Sequence, residues 1–176
     1  MPTSSKGRKA GSRTKVAKIS KGKKIFDGRK ALYKGDYHRL EFVPSYSQRI
    51  RVHDRIIVLP DYARINLKQV LKDWMKKETE KLVEKRLEQF GRKMKLISNG
   101  FSIRDTRKWA YRTKYRRIVF DPQLIALHGE LADYVIMREL TRLKEFSHSK
   151  SFTHALALIV PDFKERELSL KRYITE

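Results

Sequence analysis

The strongest constraint on this chain is its surplus of positive charge: 42 lysines and arginines stand against 20 aspartates and glutamates, a formal net charge of +22. Self-repulsion on that scale opposes compaction, so a polyanionic partner is the natural counterweight. Nucleic acid is the first candidate, and an anionic membrane surface is the second. The charge is unevenly placed. Residues 1–30 read MPTSSKGRKAGSRTKVAKISKGKKIFDGRK, with Asp27 the only acid and no helical or strand period. Such a segment buries too little apolar surface to offset its ordering entropy. The expected organisation is therefore a basic, disordered tail over 1–35 and one folded domain over 36–176. Fully extended, the tail would reach about 100 Å. Its candidate phosphate contacts are Lys6, Arg8, Lys9, Arg13, Lys15, Lys18, Lys21, Lys23 and Lys24. The blander reading of the same tail is a solubilising or localisation segment.

Cysteine is absent. That excludes disulfides, thiolate zinc sites and cysteine nucleophiles together. No apolar run reaches the roughly 20 residues of a membrane-spanning helix, and the basic N-terminus lacks the apolar stretch of a signal peptide. The expectation is a cytoplasmic protein with no membrane partner.

Beyond the tail, strand and helix periods follow one another along the chain. Residues 39–43 alternate in part. Residues 48–53 alternate cleanly, Asp54-Arg55 reads as a turn, and Ile56-Ile57-Val58-Leu59 runs up to Pro60, so a hairpin with one buried face is expected. A long helix follows. Asn66 is a candidate N-cap with Gln69 three residues on, as in a capping box. Leu67, Val70, Leu71, Trp74, Met75, Leu82, Val83, Leu87 and Phe90 form its apolar stripe, and Gly91 is the expected stop. Trp74 reads as core. Phe101, Ile103 and Ile118-Val119-Phe120 predict two strands around a basic segment. That segment carries Arg104, Arg107, Lys108, Arg112, Lys114, Arg116 and Arg117, interleaved with Trp109, Tyr111 and Tyr115. Basic residues bind phosphate and aromatics stack on unpaired bases; the same aromatics could instead face a core. Helices are expected near residues 130–146, 151–160 and 164–173, the middle one broken by Pro161.

Residues 133–152 read D-Y-V-I-M-R-E-L-T-R-L-K-E-F-S-H-S-K-S-F. They resemble the active-site helix of YgjP-like metallopeptidases, relatives of the SprT and WLM zincins. That pattern runs D-Y-V-x-x-H-E-L-x-H-L, then N-H-S-x-x-F, then a Pro-Asp/Glu-aromatic step. Asp133-Tyr134-Val135, Glu139-Leu140, Leu143, His148-Ser149, Phe152 and Pro161-Asp162-Phe163 fall in register. The strand pair, the Trp74 helix and the Trp109 segment follow the same order, so the resemblance spans roughly residues 38–172. It implies an α+β, zincin-like single domain: a small antiparallel sheet, a long N-terminal helix and an active-site-type helix.

The departures from the pattern carry chemistry. In H-E-x-x-H, histidines at i and i+4 share a helix face and hold zinc while the glutamate activates water. Here Arg138 and Arg142 occupy both positions. A guanidinium has five N–H donors and no acceptor lone pair, so neither arginine can ligate a metal. His148 alone keeps a ligand-type position, and a catalytic zinc site takes three protein ligands. The resemblance-derived general base, Glu139, has no metal-bound water to act on and is expected to pair with an arginine. His128 and His154 match no ligand spacing. Arg138 and Arg142, one turn apart, can instead present forked donors to a phosphate or carboxylate, or simply pair with acids such as Glu139, Glu145 or Asp162. The leading expectation is a metal-free pseudoenzyme without cofactor that binds nucleic acid, foremost structured RNA, as a component of a ribosome or other ribonucleoprotein. A zinc-dependent hydrolase of the same family and a protein-interaction scaffold are the alternatives.

Overall fold

Among the described residues, two small sheets lie on a long helix, with three shorter helices closing the core. The computed structural model describes residues 23–44, 49–106, 108–144 and 149–173. The first sheet has strands β1 (Lys30–Tyr33), β2 (Asp36–Val43), β3 (Arg51–His53) and β4 (Ile56–Pro60) in the order β1-β2-β4-β3. The two hairpins turn at Lys34-Gly35 and at Asp54-Arg55, all four residues at positive φ. Left-handed residues at both turn positions match the twist of the flanking strands. β2 and β4 run parallel, Leu40 beside Ile57 and Phe42 beside Leu59. The second sheet, β5 (Phe101–Ile103), β6 (Ala110–Arg112) and β7 (Ile118–Phe120), has the order β5-β7-β6, again with one parallel pair. The architecture is the expected α+β, but one antiparallel sheet is replaced by two mixed ones.

Helix α1 (Leu67–Met94) has 28 residues, a length of about 42 Å. It buries Leu71, Trp74, Met75 and Val83 as the stripe predicts. Trp74 packs its ring on Tyr33, centroids 5.0 Å apart. Thr79, fully buried, donates to the Pro122 carbonyl at 2.6 Å and accepts from the Ile125 amide. These bonds seat a 3-10 turn, Pro122–Ala126, against the helix. Helices α2 (Gly129–Lys144), α3 (Lys150–Ile159) and α4 (Phe163–Leu170) follow. α2 is the central one, with Tyr134, Val135, Ile136 and Leu140 all essentially without solvent contact.

Three expectations are corrected. The domain does not begin at residue 36: β1 lies on the tail side of that boundary, with Ala31 and Leu32 fully buried and Ile25 beside them in the core. The few apolar residues between 25 and 33 suffice because they pack into the core shared with the rest of the domain. Asn66 is the N-cap of α1, but its side chain makes no capping bond, and Gln69 bonds Asp73 instead. Gly91 does not end the helix. The chain turns at Lys95, whose φ of 53° is left-handed, and Gly91 sits inside the helix because a Cβ there would lie 2.8 Å from the Leu96 carbonyl oxygen.

Candidate functional site

α2 brings Arg138, Glu139 and Arg142 together as its register dictates. Positions i and i+4 share one helix face, and i+1 is the i,i+3 neighbour of i+4 beside it. Glu139 has no solvent contact. Its Oε1 accepts from Arg142 Nη1 at 2.6 Å and from Arg138 Nε at 3.3 Å. The two guanidiniums are themselves mostly covered, their side chains 14% and 21% exposed. Each also lies over an aromatic ring, Arg138 over Tyr134 and Arg142 over Phe152, where the ring quadrupole attracts the cation. Among the described residues, Oε2 of Glu139 and Nε of Arg142 are buried without a hydrogen-bond partner. The group is thus two cations on one carboxylate, with the Nε–H of Arg142 left over.

An ion pair and a hydrogen bond tie α2, which carries this group, to its neighbouring helices. Asp133 binds Arg86 of α1 at 2.8 Å. Burial still pushes its carboxyl above the usual aspartate range, the arginine opposing that shift. Burial likewise pushes the Tyr134 hydroxyl up. Asp162, one step before α4, is held below its ordinary value by Arg166 at 2.9 Å, and Arg166 reaches on to the Glu130 carbonyl, tying α4 to α2. Of the pairings expected for the two arginines, that with Glu139 forms. Asp162 takes Arg166 instead, and Glu145 lies outside the described residues.

The family-implied zinc does not fit the donor set at these positions. Arg138 and Arg142 offer N–H groups where a cation needs lone pairs. His148 lies outside the described residues. Among the described residues no three His, Cys, Asp or Glu side chains cluster; His128 and His154 line separate clefts.

The basic segment folds as the β6–β7 hairpin and its approach. Trp109 and Ala110 are buried, so Trp109 is core and not a stacking surface. Tyr111 and Tyr115 are exposed, Tyr115 to 66%, and Lys114 lies over the Tyr115 ring at 4.9 Å. Lys108, Lys114 and Arg116 face solvent, and Arg112 is half-buried. Arg117 plays a structural part, because its fork donates to the carbonyls of Asn99 and Phe101 and clamps the hairpin to β5. Arg107 and the tail residues Lys6, Arg8, Lys9, Arg13, Lys15, Lys18 and Lys21 lie outside the described residues. Lys23 and Lys24 are anchored to the body, Lys23 by its amide on the Arg172 carbonyl and Lys24 by its carbonyl on Tyr37.

Folding joins the hairpin tip to a segment that linear order separates from it. Asn99 bonds the Tyr115 carbonyl through its side chain and the Arg116 carbonyl through its amide. The hairpin tip is therefore tied to Asn99, in the segment between α1 and β5.

A family model described as YgjP-like, metallopeptidase domain, matches residues 8–173. Among solved structures, the crystal structure of the metallopeptidase zymogen of Pyrococcus abyssi abylysin is similar. It shares 28% identity over 52% of this chain and 98% of its own, with a TM-score of 0.46. No curated protein matches.

Proposed function

Because the chain belongs to the YgjP-like family of metallopeptidase domains, its active-site helix is where metal ligands would stand, and we propose that the arginines there make it a metal-free member that binds nucleic acid. The observation that carries the first half is the engagement of both guanidiniums on Glu139. A carboxylate oxygen already accepting from two cations is a poor general base, and the flanking positions hold no lone pair for a metal. The second half rests on charge that stays on the folded body. Residues 1–22 supply seven of the net +22, and residues 23–176 the other fifteen. On that body, Lys108, Arg112, Lys114 and Arg116, beside exposed Tyr111 and Tyr115, form a surface that combines phosphate contacts with stacking platforms. With Glu139 between them, Arg138 and Arg142 leave a net positive charge on α2, a second and more covered source of attraction for an anion. The partner we assign is structured RNA with unpaired bases, within a ribosome or other ribonucleoprotein of the cytoplasm, the tail lysines and arginines extending the contact.

Two measurements on the purified full chain test this. RNA binding should fall steeply with salt; binding that is absent at low salt, or insensitive to it, overturns the nucleic-acid half. Metal analysis should find no stoichiometric zinc. Near-stoichiometric zinc that disappears in His148→Ala would overturn the metal-free half and return the chain to the hydrolases. Protein partners that survive nuclease treatment, with no RNA affinity, would instead mark a scaffold.

A further inference from the structure

Helices α1, α2 and α3 leave an open groove of about 350 Å³ between them. Its floor is Phe90 and Met94 from α1, Met137 from α2 and Ile159 from α3, each partly buried against the core and partly facing the groove. Leu158 stands on the rim, 73% exposed. Lys93 and Lys144 flank it, both exposed, and no carboxylate is among the described residues that line it. On α2, Met137 and Lys144 are seven residues apart, so the groove takes a different stripe of this helix from Arg138 and Arg142.

We propose that this groove docks an acidic, amphipathic helix of a partner protein. An open trough between helices with an apolar floor suits an apolar helix face, anchored at i, i+3, i+4 and i+7. Two methionines give the floor an adaptable surface. The lysines at the rim select a helix whose flanks carry Asp or Glu. Charge excludes the obvious internal occupants: residues 1–22 hold seven basic residues and no acid, and a second copy of the chain brings another +22. On the floor, the Thr141 hydroxyl donates to the Met137 carbonyl, so its proton is not offered to a nucleobase. The proposal does not rest on nucleic-acid binding.

The test uses the full chain and two fluorescein-labelled peptides of about eighteen residues, five helical turns. One spaces Leu and Glu as an amphipathic helix. The other has the same composition with the leucines scrambled. Anisotropy should show the first binding at least about tenfold more tightly than the second. Leu158→Glu in the protein should weaken the first peptide about tenfold, whereas Leu168→Glu, an equally charged change at an exposed site on α4, should not. Both variants should keep the parent melting temperature and RNA affinity. Failure of the helical peptide to bind, equal binding of the scrambled one, or indifference to Leu158→Glu would each overturn the proposal.

Discussion

At the scale of single residues, Glu139 and its two arginines separate a structural role from a catalytic one. Truncating a buried acid leaves its cations uncompensated, which typically costs about 3–5 kcal/mol. Glu139→Ala should therefore lower the free energy of unfolding in urea by that order, and Glu139→Gln, which keeps an acceptor for Arg142, should cost clearly less. A loss near zero for both would show that Glu139 is held for something other than packing the arginines. Much of this site could be read from sequence, because the inability of arginine to ligate is a property of the side chain and its i, i+4 placement follows from helix geometry. The choice among acids could not: both arginines take Glu139 of their own helix, while Asp162 takes Arg166. Arg117 shows the opposite failure. In sequence it is one more cation in a basic run, yet its fork is used on two backbone carbonyls. Burial of Asp121 was equally invisible. It is 3% exposed, and its oxygens accept from the amides of Thr106 and Gln123. Burial raises its carboxyl above the ordinary 3.8, with those two bonds opposing the rise. A folded value above the unfolded one means that folding takes up protons between them. This group's contribution to stability is therefore fully present below 3.8 and declines as pH rises through the folded value. An NMR titration of the Asp121 carboxyl carbon should find its midpoint above 3.8.

Among the secondary-structure elements, the end of α1 reverses a sequence rule. Glycine ordinarily marks a helix stop because it adopts positive φ freely. Here the glycine is inside and a lysine takes the left-handed position. Gly91 is kept for the close approach of the Leu96 carbonyl. Gly91→Ala would gain about 1 kcal/mol of helix propensity, but a Cβ 2.8 Å from that oxygen forces backbone to move, at about 1–3 kcal/mol. Lys95→Gly removes a left-handed β-carbon clash of about 1–2 kcal/mol, reduced by the freer unfolded chain. Thermal melts should therefore show Gly91→Ala destabilised and Lys95→Gly slightly stabilised. The long helix and the two apolar strands of the second sheet were legible because period and composition agreed. β6 was not: three residues, Ala110-Tyr111-Arg112, are too few to show alternation, and only pairing with β7 defines them. β1 was hidden for a related reason, since four residues within a basic stretch become a strand only when β2 and the core are there to receive them.

Over the whole molecule, the question is where the positive charge acts. If the tail alone bound RNA, the body would need no surplus of its own, yet residues 23–176 retain fifteen net charges. If the body alone bound, the seven basic residues of 1–22 would add little. Counterion release separates these cases, because each phosphate neutralised adds roughly 0.7–0.9 to the magnitude of the slope of log K against log salt. Replacing Lys108, Arg112, Lys114 and Arg116 by Ala removes up to four contacts, so the slope should flatten by about 3. Deleting residues 1–22 should flatten it by a comparable or larger step, and the two losses should add if tail and hairpin touch different phosphates. Tyr115→Ala should weaken binding to single-stranded RNA by about 1–3 kcal/mol through lost stacking while leaving the salt slope unchanged. A tyrosine that changed the slope, or a hairpin variant that left it intact, would place the phosphate contacts elsewhere. The next cations to test would then be Lys93 and Lys95, at and just past the end of α1.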